Sequence, residues 1–332
     1  MTIDIQRTSG WVRARTAVPF VGLLLLAAAP LLGASSFMMV VLTSVLAYGL
    51  LAMSVNLLSG FTGLPTLAHA GYFGVGAYAS ALAANHLSAN ALLQFGCAIA
   101  AAAVAAALSG WMAVRTAGTM FLMVSLAIGE LLQILASKWR SVTNGSDGLA
   151  ASTSFEMIPG HPVFLTGLVY WYVFAVFLVL AGSLTLLCRS PFGWALRGIC
   201  DNESRMRAIG YPTSIYKYVV FVISGAFAGG AGWISVAQLP RFVSPERLSF
   251  LTAGLVLLAV VIGGVRSLTG SFVAASLIVI VNDVLSPSLG GHGPLVLGLV
   301  FIAAVYALPS GLAELRLNDA RRMLGLKQRG AW

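Results

Sequence analysis

The sequence predicts an all-α integral membrane protein with about ten transmembrane helices, forming one domain over residues 1–332. Of the 332 residues, 59% are hydrophobic and only 9% are charged, and the mean hydropathy is +0.93. Apolar runs of about 20 residues, the length needed to cross the hydrocarbon core, recur along the chain with short polar connections. They use nearly all of the sequence and leave no room for a soluble catalytic domain.

The first apolar run, 17–37, follows a basic stretch at 1–16 and contains Pro30. It is long for the core of a signal peptide, so we interpret it as a retained first span, with a cleaved signal as the alternative. Nine further spans are predicted at 38–58, 65–84, 91–113, 117–137, 163–188, 217–239, 250–265, 271–287 and 294–310.

The distribution of basic residues predicts the orientation. With the amino terminus in the cytoplasm, ten spans place fifteen of the nineteen Lys and Arg residues inside, including those of the tail at 311–332. Four remain outside: Lys138, Arg140, Arg241 and Arg247. Both termini are therefore predicted to be cytoplasmic. The net charge of +9 comes from basic residues beside apolar runs, where they set topology, so nucleic-acid binding is excluded.

The longest polar stretch, called here the polar segment, extends from Arg189 to Lys217. Ser190 can cap a helix that begins at Pro191, where the missing N–H is harmless, and Gly210 with the proline two residues later is a stop signal. The segment is therefore predicted to form one or two short helices.

A helical projection of the polar segment is amphipathic. Four apolar residues form one stripe, interrupted by Asn202, and three charged residues lie opposite: Ala195, Ile199, Met206 and Ile209 against Arg197, Asp201 and Arg205. Such a helix needs a surface to lie against. Two interpretations stay open, a helix on the membrane surface or merely connecting two spans, and a docking helix for a soluble partner.

Glycine and proline interrupt the helical pattern twice, at 60–65 and at 263–270, so one or two helices are predicted to be broken there. Irregular backbone at membrane depth must be buried in protein or line a wet cavity, so these breaks point inward. The Ala-rich stretch 98–107 and the small residues of 70–81 favour close helix packing, which is as good an explanation of the glycines as contact with a solute.

Polar groups at membrane depth are candidates for a solute path. Glu130 and Asp283 lie about thirteen and about twelve residues into their spans, roughly 20 Å from the inner face. With Asn282 they could line an outward-facing path and attract an ammonium group. His69 and Asn56 lie near the inner ends of neighbouring spans and could hydrogen-bond to each other across the first break, for which a structural partnership is the safer interpretation.

Enzyme chemistry is not indicated. No Ser/His/Asp arrangement, metal-spaced His or Cys set, or phosphate-binding loop is present, and Cys97, Cys188 and Cys200 are dispersed. The chain is therefore predicted to need no cofactor or metal of its own. Without an ATP-binding motif, transport would be powered by a separate partner. An ion-coupled secondary transporter using Glu130 or Asp283 is the competing class.

Several motifs carry a resemblance to a known family over about 37–310. They are NLLSGFTG from Asn56 leading into HAGYFGVGAY from His69, SLAIGE ending at Glu130, NGSDGL from Asn144, and SPFGWALR from Ser190 leading to AIG ending at Gly210. In order and spacing the chain resembles the branched-chain amino acid ABC importer permease family, and within it the LivM subunits.

The resemblance implies a permease domain in the bacterial inner membrane that works with partners: a second related permease, two cytoplasmic ATPases that bind ATP and Mg²⁺, and a periplasmic solute-binding protein. It implies that 189–216 is a cytoplasmic coupling segment seated in an ATPase cleft. The residues expected to transmit the motion or to make its polar contacts are Arg197, Gly198, Asp201, Glu203, Arg205, Arg207 and Gly210. The outer loops 138–162 and 240–249 would dock the binding protein.

The sequence departs from the family pattern at two places. Arg266 stands where a small residue usually follows the paired glycines, and Leu64 with Pro65 replaces a glutamine-containing turn. Both bear on the substrate more than on the architecture. The expected substrate is Leu, Ile or Val. Other amino acids come second, and urea or short-chain amides come third, since related permeases carry urea or short-chain amides.

Overall fold

The structure is a computed structural model in which the described residues are 35–151, 156–158, 161–162, 166–237, 241–285 and Gly298. The amino-terminal stretch 1–16, nearly all of the predicted spans 17–37 and 294–310, and the tail 311–332 lie outside the described residues.

The described residues are predominantly helical. In chain order the helices are α1 Ser36–Thr62, α2 His69–His86, α3 Ala91–Ala113, α4 Thr119–Lys138, α5 Thr166–Arg189, α6 Pro191–Asp201, α7 Glu203–Ala208, α8 Thr213–Ala237, α9 Phe250–Gly263 and α10 Leu268–Ile280. A four-residue α-helical turn lies at Arg140–Thr143, 3-10 turns lie at Gly145–Asp147 and Pro245–Leu248, and a π-helical turn, Val281–Leu285, continues α10.

In the part of the chain that the structure describes, short strands lie in the connections between helices. β1 (Leu149–Ala150) pairs antiparallel with β4 (Phe242–Val243), and β2 (Glu156–Ile158) pairs antiparallel with β3 (His161–Pro162). The first pair joins the connection after α4 to the connection after α8, which lie at the same end of the bundle.

Within the described ranges, five helices are long and apolar enough to cross a membrane: α1, α3, α4, α5 and α8. Two shorter apolar helices, Phe250–Gly263 and Leu268–Val284, and the Gly- and Ala-rich α2 accompany them. These eight helices coincide with the eight predicted spans between 38 and 287 to within a few residues. The all-α membrane class is confirmed, and the count of ten spans stays a prediction.

Helix α8 lies at the centre and packs against α1, α2 and α3. The approach is close because small residues face each other: a Cβ on Gly76 of α2 would meet the backbone of Gly229 in α8. Ala98, Ala102 and Ala106 of α3 are fully buried, and the last two contact glycines of α8. Lipid gives helices little hydrophobic reason to associate, so packing of small residues supplies the attraction. The packing interpretation of the Ala-rich stretch is confirmed.

The two predicted breaks are junctions between separate helices. α1 ends at Gly63, whose φ of 72° suits glycine, and the irregular stretch to α2 is mostly buried in protein. The second junction, between Gly263 and Leu268, is tight because Gly263 and Gly270 lie in direct backbone contact. The prediction that the breaks point inward is confirmed for the first junction, whereas Val265 and Arg266 of the second junction are exposed.

The polar segment begins as predicted. The Ser190 hydroxyl accepts a hydrogen bond from the Gly193 N–H at 3.4 Å, and Pro191 is the first residue of α6. One expectation is wrong. Asn202 is extended, with φ −159°, and caps a second helix, so the apolar stripe does not continue: Ile199 is buried, whereas Ile209 is 66% exposed.

Candidate functional site

Helix α6 lies against both helix junctions. The Arg197 guanidinium lies 5.0 Å from the Phe61 ring of α1, a cation–π contact, and donates a hydrogen bond to the Cys188 carbonyl at 3.2 Å. At the end of α6, the Asp201 carboxylate accepts a hydrogen bond from the Arg266 guanidinium at 2.6 Å. The polar segment is therefore joined to the bundle on the side that faces α1 and the α9–α10 junction.

Arg266 connects three elements. Its Nε donates to the Gly60 carbonyl of α1 at 3.2 Å, and its Nη2 reaches Asp201 and the Cys200 sulfur of α6. The hydrogen bond to Asp201 raises the pKa of Arg266 above its ordinary value, so the side chain stays charged. Its φ of 71° lies in the left-handed region, which explains why a small residue suits this position. The departure noted in the sequence thus creates an additional contact.

Asn56 holds the α9–α10 junction from inside. It is fully buried, and its amide lies 3.0 Å from the Ser267 carbonyl, 2.6 Å from the Ser271 hydroxyl and 3.4 Å from the Gly264 carbonyl. Its Oδ1 accepts from the Arg266 N–H at 3.1 Å. The predicted hydrogen bond between Asn56 and His69 is wrong, because every polar atom of the amide is used by this junction.

His69 has other partners. Its Nε2 lies 3.0 Å from the Ser224 hydroxyl of α8 and its Nδ1 lies 3.3 Å from the Thr66 hydroxyl. The rings of Tyr72 and Phe221 meet it edge-on. The contacts of Asn56 and His69 favour structural roles, and their place on a solute path stays a prediction.

Glu203, at the start of α7, ties this helix to α8. Its carboxylate lies 2.6 Å from Lys217 and 2.8 Å from Arg207, and it accepts from the Thr213 hydroxyl at 3.1 Å. Partial burial opposes ionisation, but the hydrogen bonds and the charge of Lys217 outweigh it and lower the pKa of Glu203 below its ordinary value.

The seven residues that the resemblance assigned to coupling do not share one environment. Arg205, Arg207, Asp201 and Gly210 are exposed, while Arg197, Gly198 and Glu203 are half-buried. A Cβ on Gly198 would come within 2.9 Å of the Met206 sulfur, so a larger side chain there would displace the flexible Met206 side chain of α7.

The predicted outer polar path is divided. Asn282 and Asp283 lie in the π-helical turn after α10 and line a cavity of about 300 Å³, whereas Glu130 does not. Glu130 is half-buried in the middle of α4 and makes no hydrogen bond or ion pair within the described ranges. In that same part of the chain, no three His, Cys, Asp or Glu side chains gather as a metal site.

Sequence reasoning missed two arginines of the 240–249 loop. Arg247 lines the same cavity as Asp283. Arg241 is only 2% exposed and donates to the Gln94 side chain of α3 at 3.0 Å; burial lowers the pKa of Arg241 to about 10. Both residues had been treated as outer loop charges. The signal in the sequence for these inward positions was the short loop, because a short loop keeps its charged side chains close to the ends of the helices.

Comparison with known proteins agrees with this architecture. The family model for the branched-chain amino acid transport system permease component matches residues 37–305. The chain is 28% identical to the high-affinity branched-chain amino acid transport system permease protein LivM of Escherichia coli over 87% of this chain and 72% of the relative. It is 27% identical to the LivM protein of Salmonella typhimurium over 81% and 68%.

A more distant relative is the probable branched-chain amino acid transport permease protein LivH of Methanocaldococcus jannaschii, 26% identical over 48% of this chain and 52% of the relative. These relatives are transport permeases, not enzymes, and the long apolar helices described above fit a multi-pass membrane protein. The matched residues include both helix junctions, the polar segment and the cavity-lining turn. The chain therefore belongs to the permease component family of branched-chain amino acid transport systems.

Proposed function

We propose that the chain is a permease subunit of an ATP-driven importer that carries branched-chain amino acids across the bacterial inner membrane. One observation carries the ATP-driven part: α6 binds the helix junctions and α7 binds the start of α8, while both helices and the turn after them leave other side chains exposed. The exposed side chains, called here the docking face, include Trp194, Ile209, Tyr211, Arg205 and Arg207. Aromatic, aliphatic and Arg side chains together are typical of protein interfaces.

The partner on this face is a cytoplasmic ATPase subunit, and the remaining partners are a second related permease and a periplasmic solute-binding protein. The names of the relatives, which are permease proteins of transport systems, support a multi-subunit assembly. The positive-inside pattern supports a cytoplasmic position for the polar segment. A membrane-surface helix is the alternative for this face.

The internal contacts supply a route for the motion. When an ATPase moves α6, Asp201 would displace Arg266 through their hydrogen bond. Arg266 would in turn displace α1, because it is hydrogen-bonded to Asn56 and Gly60. Ion pairs and hydrogen bonds between packed helices convey displacement only if the elements move as rigid bodies, which the close packing of α1 with α10 favours.

Uptake of radiolabelled leucine tests the function. In cells that lack and then regain this chain, we expect uptake to require the chain and to stop when ATP is depleted while the proton gradient is kept. Chain-dependent uptake that survives ATP loss would identify a secondary transporter, for which the unpartnered Glu130 is the candidate coupling group. Chain-dependent uptake of urea in place of leucine would identify an amide permease.

Copurification tests the docking face separately. Trp194→Glu and Ile209→Glu place a charge on it, and we expect the ATPase subunits to be lost while the permease still reaches the membrane. The matched control is Ser146→Glu, which adds the same charge at an exposed site at the opposite end of the bundle. Full retention of the ATPases by both polar-segment variants would reject this face as the docking surface.

A further inference from the structure

The cavity of about 300 Å³ lies between α1, α9 and α10, at the end of the bundle opposite the polar segment. Ligand sites in proteins have volumes of about 300–1,000 Å³, so this cavity has room for one small solute. Its wall includes one basic side chain, one acidic side chain and a group of aliphatic side chains, with hydroxyl and amide groups among them. Each of the three features restricts what can bind.

The two charged side chains face the same space without neutralising each other. Arg247, in the turn before α9, and Asp283, in the π-helical turn after α10, are both half-buried. They act on each other electrostatically, but no ion pair joins them in the described ranges. Among the described residues, the hydrogen bond that Asp283 accepts comes from the neighbouring Asn282 amide, at 2.9 Å. Separated opposite charges near an apolar interior are best satisfied by a ligand that carries both signs.

The chemistry of each group assigns the two ends of such a ligand. The planar guanidinium of Arg247 matches a carboxylate through paired N–H donors. The Asp283 carboxylate accepts hydrogen bonds and suits an ammonium group. The Tyr48 hydroxyl of α1 lies where both charges act on it, and its ring stacks on Phe73 at a centroid distance of 5.6 Å, which fixes it between the polar and apolar parts.

Much of the remaining wall is aliphatic and comes from α9 and α10: Leu251, Leu255, Val256, Ile278 and Val279. Hydroxyl groups also line it, from Ser44, Ser235 and Thr252. A branched hydrocarbon side chain would be removed from water there, whereas a charged side chain would have no partner. Urea and short amides carry no charge and would leave both Arg247 and Asp283 unpaired.

We propose that this cavity binds a zwitterionic α-amino acid with an aliphatic side chain, with Arg247 holding its carboxylate and Asp283 its ammonium group. This deepens the proposed function, on which it rests, by giving the permease its own recognition site at the outer end of the path. The π-helical turn contributes by adding a residue to α10 at the position where Asp283 turns to the cavity, and such turns are frequent at functional sites.

Equilibrium binding to the purified transporter complex, free of the solute-binding protein, tests the site. The probes are L-leucine, leucinamide, which lacks the carboxylate, 4-methylpentanoate, which lacks the ammonium group, and urea. We expect leucine to bind about tenfold or more tightly than either analogue, because each loses a charge-assisted hydrogen bond, and urea not to compete.

Two variants separate recognition from general damage. In Arg247→Gln the preference for leucine over leucinamide should disappear, and in Asp283→Asn the preference over 4-methylpentanoate should disappear, while the other preference remains in each. Arg140→Gln, an exposed arginine at the same end but outside the cavity, should behave as the parent. A merely structural role would weaken all probes equally.

Several results would overturn the site: equal affinity for leucine and its analogues, competition by urea, unchanged preferences in both variants, or no leucine binding by the parent complex. If the complex fails to bind leucine yet supports ATP-dependent leucine uptake with its solute-binding protein, the proposed function stands and only the site is lost. If leucine uptake does not require the chain, the proposed function itself fails.

Discussion

Replacing Asn56 by Ala should lower the free energy of unfolding by more than the removal of so small a side chain suggests. The amide has two N–H bonds to share among three acceptors, Ser267, Ser271 and the more distant Gly264, and its oxygen accepts one bond from Arg266. The side chain therefore makes three effective hydrogen bonds. Hydrogen bonds between membrane helices average about 0.6 kcal/mol, but an unsatisfied buried group costs about 1–3 kcal/mol. We expect a loss of about 2–4 kcal/mol.

Denaturant-induced unfolding of the purified protein in detergent would measure this loss. Ser54→Ala is the matched control, since Ser54 is equally buried in the same helix but its hydroxyl donates to the Leu51 carbonyl of its own helix, at 2.7 Å. Its removal should cost less than about 0.5 kcal/mol. An Asn56→Ala protein whose unfolding free energy matches that of Ser54→Ala would refute the view that Asn56 secures the α9–α10 junction.

Three further predictions concern contacts elsewhere. A double-mutant cycle with Arg266→Ala and Asp201→Ala should give a coupling energy of only about 0.5 kcal/mol, because the two side chains are 43% and 63% exposed. A coupling energy near zero would remove this contact from the proposed route of motion between α6 and α1. Gly76→Val should lower the free energy of unfolding by about 1–3 kcal/mol or prevent assembly, since its Cβ would meet the backbone of α8. Gly254→Val should be tolerated, because a Cβ there would have nothing within 4 Å. Equal losses of stability in the two variants would contradict the close packing of α2 with α8. Because the pKa of Glu203 is lowered in the folded protein, its ion pairs stabilise the protein fully above pH 4.5, the ordinary pKa of a glutamate. This stabilisation is lost as the pH falls through the lowered pKa. Thermal unfolding followed against pH should show this loss in the parent and not in Glu203→Gln.

Local signals were enough to predict the helices and the polar segment. A serine cap, a proline at the first helical position and a glycine stop act within a few residues of each other, so α6 began where the sequence indicated. The small residues of α2 and α3 predicted close packing for the same reason, because the side-chain size that permits contact is visible in the sequence itself. The sequence left open whether the segment forms one helix or two, although the capping oxygen of Asn202 is a local signal for two.

Contacts between distant parts of the chain could not be predicted. Asn56 and His69 are near each other in sequence and were expected to pair, but the α9–α10 junction competes for Asn56 and Ser224 competes for His69. Glu130 and Asp283 have similar predicted depths, yet only Asp283 faces the cavity. Depth fixes the position along the bundle axis and leaves the direction around it open, and that direction decides which polar groups meet.

Helices α1 and α10 extend from the polar segment at one end of the bundle to the cavity at the other. At one end Asn56 of α1 bonds to Ser271 of α10, and at the other Ser44 and Val279 from the same two helices line the cavity. Between them, Gly49 leaves room for the Phe272 ring, so the pair is in direct contact along most of its length. Ser44 and Asn56 are about 18 Å apart along α1 at 1.5 Å per residue. A displacement of Arg266 by α6 would therefore act on two helices that also carry cavity walls, because Arg266 bonds to Asn56 and Gly60 of α1 and Asn56 bonds to Ser271 of α10.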